Sequence, residues 1–260
     1  MLAIAGGKGG CGKTTTALGL ARALAGRNRT PLVVDADSDM PDVHHVVDLP
    51  PEPGVDRCSG GTPLDTVTRE SDRFPGVRVL TGGRREHLDT ALRTVRSWPG
   101  PVLVDCPPGS GPDATRPLRH AESALIVTTD EPVCLEDATR TVRTTRQLGV
   151  GPAGVLMVQA RHGDLPTAVA GCRVLGVVPF VSDPYANGRV REAWQRVAGR
   201  LTRSLPLYSR VSSSHPSKRP VIRGWPKTIT AIRIKRFVRP GNGLFQFVKI
   251  VAERLISEED

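Results

Sequence analysis

The stretch Gly7-Lys8-Gly9-Gly10-Cys11-Gly12-Lys13-Thr14 decides the fold of this chain of 260 residues. It fits the pattern G-x-x-x-x-G-K-[ST] and lies between an apolar run, Leu2–Ala5, and a helical pattern, Lys13–Ala25. Glycines let backbone N–H groups surround a phosphate, and the start of the following helix adds positive potential. Lys13 is therefore predicted to reach the β- and γ-phosphates of a nucleotide, and the Thr14 hydroxyl is predicted to bind Mg²⁺.

Short apolar runs alternate with helical patterns along residues 1–204. This alternation predicts an α/β fold with a mainly parallel sheet and helices on both faces. Residues 50–76 are rich in proline and glycine and are predicted to form a loop with little regular structure. The predicted strands are Leu2–Ala5, Pro31–Asp35, Val77–Leu80, Pro101–Asp105, Ala124–Thr128, Gly154–Val158 and Val174–Val178, and the predicted helices are Lys13–Ala25, Arg85–Ser97, Leu135–Leu148 and Arg189–Leu201.

Carboxylates follow two of these predicted strands. Asp35 and Asp37 stand at the end of the second strand, and Asp105 ends the strand that begins at Pro101. Ligands of a parallel sheet bind beyond the carboxyl ends of its strands. Asp35 and Asp105 are therefore predicted to help hold Mg²⁺, and Asp37 to position Mg²⁺ or the attacking water. The Gly109 N–H is predicted to bind the γ-phosphate and to sense its loss.

Lysine is used in an unusual way in the first 204 residues. Lys8 and Lys13 are the only lysines there, and arginine supplies every other side-chain cation of the Lys/Arg type. A compact ammonium on a flexible stem is not interchangeable with a planar guanidinium. Both positions of the glycine-rich loop are therefore predicted to need lysine.

Together these motifs resemble the MinD/ParA family of ATPases, which are P-loop NTPases of the deviant Walker A (SIMIBI) type, and in particular MinD-like proteins of archaeal type. Lys8 matches the signature lysine of that family. Residues 35–37 resemble its switch I, and residues 105–109 its Walker B and switch II. Leu175-Gly176-Val177-Val178-Pro179-Phe180 resembles the family's late strand and the loop near the adenine. The resemblance covers about residues 1–204.

The resemblance implies a homodimer that forms face to face around two ATP molecules with Mg²⁺. Lys8 would reach the partner's phosphates, Asp37 would position the hydrolytic water, and hydrolysis would release the dimer. Such a slow switch positions division machinery, a chromosome or other cargo, and an activating partner protein is expected. The implied catalytic residues are Lys8 and Asp37; the nucleotide-binding residues are Gly7, Lys8, Gly9, Gly10, Cys11, Gly12, Lys13, Thr14, Thr15, Gly109, Gln159, Pro179 and Phe180; the metal-binding residues are Thr14, Asp35 and Asp105.

Two positions depart from the family pattern. Many relatives carry an Asn-Arg pair that contacts adenine where this chain has Val158-Gln159-Ala160-Arg161. Asp42 stands where MinD relatives often have asparagine. Adenine selectivity and the details of switch I therefore stay open.

Composition changes near residue 205 and predicts two regions: an ATPase domain, 1–204, and a basic tail, 205–260. The tail holds 11 Lys and Arg against 4 Asp and Glu, a net charge of +7 out of +10 for the chain. An apolar helical pattern from Leu244 to Ile256 follows the basic residues, so the tail is interpreted as a membrane-binding segment, a DNA-binding segment or a solvated extension that is not native to the domain.

The expected compartment is the cytoplasm, with a peripheral position on the inner face of the cell membrane if the tail binds lipid. No apolar run approaches the roughly 20 residues of a membrane-spanning helix. The chain also opens without the basic and apolar segments of a secretory signal.

Two other functional classes remain open from the sequence. One is a P-loop ligase or amidase of the dethiobiotin or cobyrinate type, for which residues 50–76 would form the substrate segment. The other is iron–sulfur chemistry, with Cys106 and Cys134 sharing a cluster across a dimer. The five cysteines are scattered and odd in number, which favours reduced, buried thiols over a disulfide framework.

Overall fold

A computed structural model describes residues 1–58, 61–161 and 165–204. The strands among these residues form one sheet in the order β3-β4-β2-β5-β1-β6-β7-β9-β8. The two edge strands, β3 and β8, are antiparallel to their neighbours, and the other pairs are parallel. The strands are β1 (Leu2–Ala5), β2 (Leu32–Asp35), β3 (Arg69–Glu70), β4 (Arg78–Leu80), β5 (Val102–Asp105), β6 (Ser123–Thr128), β7 (Gly151–Ala160), β8 (Ala168–Val169) and β9 (Cys172–Pro179).

Helices connect most of the parallel strands, as crossover connections require. In the described part of the chain they are α1 (Lys13–Ala25), α2 (Val43–Val47), α3 (Leu64–Val67), α4 (Arg85–Thr94), α5 (Pro112–His120), α6 (Pro132–Gln147) and α7 (Gly188–Ser204), with short 3₁₀ turns at Val55–Arg57 and Val95–Ser97.

Side chains that alternate along the strands belong to two different hydrophobic clusters, one on each face of the sheet. In β1, Leu2 and Ile4 join one cluster with α1 and α7. Ala3 and Ala5 join the other, which includes residues of α4, α5 and α6. Since successive strand residues point to opposite faces, both faces of the sheet are covered by helices. The predicted fold class is confirmed.

The register of the central strands places the candidate site. β1 lies between β5 and β6, and Ile4 is paired with Asp105. Asp35, the last residue of β2, is paired with Asp105 as well. The two carboxylates and the loop that follows β1 therefore meet at the carboxyl ends of the central strands, where ligands of such sheets bind.

Several elements differ from the expectation. Helix α5 was not predicted, because Pro112 and Pro117 interrupt its pattern; Pro112 occupies the tolerated first turn of the helix and Pro117 lies inside it. Strand β7 begins three residues earlier than predicted, at Gly151. The loop predicted over residues 50–76 contains α3 and β3, which are too short to give a periodic signal.

The predicted tail, 205–260, lies outside the described residues. Among the residues that are described, no helix has the length and apolar character needed to span a membrane.

Candidate nucleotide site

The glycine-rich loop leads directly into α1. Gly12 is the N-cap of that helix and has a φ of +80°, a left-handed conformation that glycine adopts without strain. At Gly7 a Cβ atom would overlap the Cβ of Asp137 in α6. The sequence therefore folds into this loop because glycine occupies the position of unusual φ and the position of close approach.

Lys13 points inward beneath this loop. Its side chain is buried, and its Nζ lies 3.4 Å from the carbonyl oxygen of Lys8, to which it donates. The first turn of α1 contains no acidic residue. A buried ammonium and the start of a helix thus face the same loop, which is an arrangement that favours an anion.

Lys8 points outward from the same loop. Its side chain is 53% exposed, and its Nζ lies 3.5 Å from Oε2 of Glu131, which is itself 58% exposed. Glu131 is the residue before α6 and was not identified from the sequence, because 123 residues separate it from Lys8. Exposed pairs of this kind contribute little to stability, so Lys8 can exchange this partner for another.

Asp105 and Thr14 form the polar side of the site. Thr14 donates its hydroxyl to Oδ1 of Asp42 at 3.2 Å. Asp105 is buried, and its Oδ1 has no hydrogen-bond partner among the described residues. Burial, opposed in part by the Thr14 hydroxyl, raises the pKa of Asp105 from 3.8 to about 7. A buried carboxylate oxygen without a donor, next to a hydroxyl, fits the hard oxygen set that Mg²⁺ prefers.

Asp35 has a different environment from Asp105. Its Oδ1 accepts the backbone N–H of Asp37 at 3.1 Å, and its Oδ2 accepts that of Val43 at 3.2 Å. Burial, with the nearby Asp105 carboxylate, raises its pKa well above the usual value. One oxygen is thus occupied by the first switch loop, defined here as residues 36–42, and the other by the first residue of α2, directly after that loop. The geometry favours Asp35 as the anchor of the loop over direct metal binding.

Asp37 lies in the first switch loop, half-buried. Its Oδ1 accepts the backbone N–H groups of Asp39 at 3.3 Å and Met40 at 3.1 Å. The carboxylate therefore organises its own loop while facing the nucleotide cavity described below.

Gly109 lies in the second switch loop, defined here as residues 106–111. Its N–H donates to the carbonyl oxygen of Gly6 at 3.3 Å. That bond has to break before the N–H can reach a phosphate, so the structure shows the second switch loop turned toward the start of the glycine-rich loop.

A cavity of about 480 Å³ joins these features. It brings together several predicted residues and some that the sequence did not identify, among them His45, whose side chain comes from α2. Seven of the residues predicted to bind nucleotide or metal do not line it: Gly7, Lys8, Cys11, Asp35, Gly109, Pro179 and Phe180. The lining residues are Gly9, Gly10, Gly12, Lys13, Thr14, Thr15, Asp37, Met40, Pro41, Asp42, His45, Asp105, Cys106, Pro108 and Gln159.

The residues predicted near the base divide between two places. Gln159 lines the cavity, has a φ of +53°, and donates Nε2 to the Gly10 carbonyl oxygen at 3.3 Å. Phe180 is 53% exposed, and the Arg161 guanidinium lies 4.4 Å from its ring centroid. In this structure Gln159 therefore contacts the glycine-rich loop, while Phe180 pairs with Arg161 outside the cavity.

All five cysteines are buried and free, as predicted. Cys11 places its Sγ 3.7 Å from the Val127 carbonyl oxygen. No group of three or more His, Cys, Asp or Glu side chains suited to a metal ion occurs in the part of the chain that the structure describes. Cys11 thus acts as a packing residue of the loop in this structure.

Comparison with known proteins agrees with this geometry. A relative from Methanocaldococcus jannaschii, named an uncharacterized ATP-binding protein, is 26% identical over 203 residues, covering 74% of this chain and 76% of its own. The crystal structure of the cell division ATPase MinD of Pyrococcus furiosus has a TM-score of 0.67 at 26% identity, covering 78% of this chain and 98% of its own. The septum site-determining protein MinD of Pyrococcus horikoshii, complexed with Mg-ADP, has a TM-score of 0.65 at 25% identity, covering 76% and 93%.

Other matched proteins carry different names, including a chromosome-partitioning ATPase, an iron–sulfur cluster carrier and a cobyrinic acid a,c-diamide synthase. The family described as the CobQ/CobB/MinD/ParA nucleotide binding domain matches residues 2–186. With the glycine-rich loop, the buried Lys13 and the carboxylates all at one sheet edge, this chain belongs to the CobQ/CobB/MinD/ParA family of P-loop nucleotide-binding domains.

Proposed function

We propose that this chain is an ATP-driven dimerisation switch that slowly hydrolyses ATP, of the MinD/ParA kind. The observation that carries the proposal is that the side chains of two lysines in one loop point in opposite directions. Lys13 is buried and faces the phosphate position, whereas Lys8 is exposed and paired only loosely with Glu131. A second cation on the outer side of the loop is suited to reach a nucleotide held by a second copy of the chain.

The residues present fit Mg²⁺ and a nucleotide. Thr14 and Asp105 would hold the ion, Asp105 through its unpartnered oxygen, and the ion would neutralise charge that develops on the phosphate oxygens. The Mg-ADP complex of the P. horikoshii relative supports this choice of cofactor.

The groups of the protein would orient the phosphates and the attacking water and would stabilise the charge that develops during hydrolysis. Lys13 and the N–H groups of the loop would bind the phosphates, and Asp37 would position the attacking water. Lys8 would stabilise charge in the partner's site, as an arginine finger does in other NTPases. The Gly109 N–H would leave Gly6 to bind the γ-phosphate, which makes the second switch loop sensitive to hydrolysis.

The test is to size the purified protein with ATP, with ADP and without nucleotide, comparing the parent chain with Lys8→Ala and with Arg140→Ala. Arg140 is a matched control because it is a 64% exposed cation on α6 that pairs with Glu136 and Asp137. We expect ATP-dependent dimers and ATPase activity in the parent and the control. Lys8→Ala should bind ATP but neither dimerise nor hydrolyse it, and intact dimerisation and hydrolysis in Lys8→Ala would overturn the proposal.

A ligase or amidase is the second candidate, because a cavity of about 470 Å³ lies in the segment after α2, lined by Glu52, Pro53, Arg57, Thr62, Thr66 and Val67. It shares no lining residue with the nucleotide cavity, which disfavours transfer of a phosphate between them. An ATPase rate that depends on an added small molecule and not on dimerisation would favour this candidate.

An iron–sulfur role is disfavoured by the burial of both thiols in question. Cys106 is 2% exposed and Cys134 is 3% exposed, so neither presents its sulfur to a second copy. Burial also raises the pKa of Cys106, which opposes the thiolate form that clusters need. A brown chromophore after anaerobic purification would reverse this conclusion.

A further inference from the structure

Arg85, the first residue of α4, lies between the first switch loop and the start of α5, the helix that directly follows the second switch loop. Its Nη2 is 2.8 Å from Oδ1 of Asp39, in the first switch loop, and 3.1 Å from Oδ2 of Asp113, in the first turn of α5. One guanidinium nitrogen thus contacts a carboxylate on each side of the gap. The neighbouring Arg84 has no such contact, since its guanidinium pairs with Asp56 and Glu86.

Asp39 is connected directly to the proposed water-positioning group. Its backbone N–H donates to Oδ1 of Asp37. A movement of Asp39 therefore changes the hydrogen bonding of the Asp37 carboxylate, and a fixed Asp39 helps to hold that carboxylate in place.

Asp113 is connected to the second switch loop. Helix α5 begins at Pro112, directly after that loop. Gly109, three residues before Pro112, must give up its bond to Gly6 before its N–H can face a phosphate. Asp113 stands in the first turn of α5, four residues after Gly109, so a change in the backbone of the second switch loop displaces its carboxylate, while Ala114 and Leu118 hold the rest of α5 in the core.

The backbone that carries Arg85 is held in place by the packing of α4. Leu88, Ala91 and Leu92 anchor α4 in the core with 2% exposure or less. The backbone N–H of Arg84 donates to Oδ1 of Asp56 at 2.7 Å, which fixes the start of the helix. The gap beside Arg85, lined by residues of both switch loops, holds only about 10 Å³, so little free space is left there.

We propose that Arg85 is a positioning residue that couples the two switch loops, so that movement of the second loop on nucleotide exchange is passed to Asp37 through Asp39. The coupling rests on the proposed ATPase function. The coupling is carried by the two ion pairs that Arg85 makes with Asp39 and Asp113. Salt weakens the coupling because all three side chains are partly exposed.

The experiment compares Arg85→Ala, Arg85→Lys and the control Arg84→Ala in the full chain. Each variant also carries Met40→Cys, labelled with an environment-sensitive fluorophore. Met40 is 77% exposed in the first switch loop, and the five native cysteines are buried, so the label attaches there selectively. The probe signal is recorded on addition of ATPγS and Mg²⁺, and kcat, KM and the Kd for ATPγS are measured on the same variants without Met40→Cys, because Met40 lines the nucleotide cavity.

With Arg84→Ala we expect the parent's probe signal and kcat. With Arg85→Ala we expect a Kd within about twofold of the parent, less than about half of the probe signal, and a kcat about threefold to fivefold lower, the range given by loss of an exposed ion pair. Arg85→Lys should recover part of both, because an ammonium can still contact two carboxylates. Adding Arg85→Ala to Asp39→Asn/Asp113→Asn should lower kcat no further.

An Arg85→Ala protein that matches Arg84→Ala in probe signal and kcat would overturn the coupling alone. The same holds if Arg85→Ala and Asp39→Asn/Asp113→Asn have additive effects. A parent protein that neither binds nor hydrolyses ATP would instead reject the proposed function, and the coupling with it.

Discussion

The two lysines of the glycine-rich loop have the same chemistry and different surroundings. Lys13 has lost most of its water and has a carbonyl oxygen at 3.4 Å, whereas Lys8 keeps 53% of its side-chain surface in solvent. An ammonium in a buried site is worth more to an anionic ligand than one in solvent, because the local dielectric screens it less. Substitutions at the two positions should therefore affect different steps.

Lys13→Arg tests the buried position. A planar guanidinium is larger than an ammonium and cannot occupy the space beneath the loop in the same way. We expect ATP to bind at least about tenfold more weakly, which corresponds to loss of a charge-assisted hydrogen bond. Equilibrium titration with a fluorescent ATP analogue measures this. Arg22→Lys, at the other end of α1, serves as the control, and unchanged affinity in Lys13→Arg would contradict the assignment.

The raised pKa of Asp105 should make the stability of the folded protein depend on pH. Its folded-state pKa, about 7, lies above its ordinary value of 3.8. The unfolded chain therefore ionises this group first, and the folded state loses stability as the pH rises from 3.8 to about 7. Asp105→Asn removes the buried charge and should unfold at a higher temperature than the parent at pH 8, by a larger margin than at pH 5.

The measurement is thermal unfolding of both proteins without nucleotide or Mg²⁺. The same Asp105→Asn protein should have lost Mg²⁺-dependent ATPase activity. A parent as stable as the variant at pH 8 would show that Asp105 is ionised there without cost.

At the level of residues, the sequence predicts what short motifs encode. Lys13, Thr14, Asp37 and Asp105 all line one cavity; the glycine-rich motif indicated the first two, and positions at or just after strand ends indicated the two aspartates. The pairing of Lys8 with Glu131 and of Thr14 with Asp42 depends on contacts between distant parts of the chain, which no local pattern reports.

Secondary-structure elements were predictable in proportion to their length and regularity. Helix α1 matches its predicted bounds because an apolar face repeats through thirteen residues after a glycine cap. Helix α5, with Pro112 and Pro117 in nine residues, lacks such a repeat, and its stability comes from packing of Leu118 into the core. Tertiary contacts, and not local propensity, decide elements of this kind.

The packing of α1 against α7 gives a prediction at this scale. A Cβ at Gly19 of α1 would overlap the ring of Trp194, which is 3% exposed in α7. Gly19→Ala gains up to about 1 kcal/mol of helix propensity, but overpacking of a buried ring costs about 1–3 kcal/mol. We expect a net loss and a Tm lower by several degrees.

Gly199→Ala, in α7, is the matched control for that change. A Cβ there meets the Arg27 guanidinium at 3.0 Å, and that flexible side chain can move aside. Its Tm should stay unchanged or rise, since only the propensity gain remains. Equal Tm values for the two alanine variants would mean that α7 shifts readily over α1.

At the scale of the whole molecule, the position of the site follows from the strand order. β1 lies between β5 and β6. The connection after β1 runs to β2 on one side of it, whereas the connection after β6 runs to β7 on the other side, so the direction of the chain changes at the carboxyl end of β1. Ligand sites of open α/β sheets lie at such points. The general location was therefore predictable from alternating elements, whereas the order of nine strands was not, because it depends on long-range pairing.

The nucleotide-binding domain can be tested apart from the tail, residues 205–260. Among the residues that the structure describes, those that line the nucleotide cavity all precede residue 160, and those of the two hydrophobic clusters lie within residues 1–201. A chain ended after Ser204 should therefore keep its ATP-dependent dimerisation, measured by sizing with ATP, with ADP and without nucleotide. Loss of dimers without loss of thermal stability would place part of the dimer interface in residues 205–260.

The same pair of proteins tests what the net charge of +7 in the tail does. If the tail binds a membrane, only the full chain sediments with anionic vesicles; if it binds DNA, only the full chain shifts a duplex, with an affinity that falls steeply with salt. We expect either behaviour to increase with ATP, because a dimer presents two tails and its effective concentration at a surface is higher. Equal binding by the full and shortened chains would instead assign any surface contact to the arginine-rich domain.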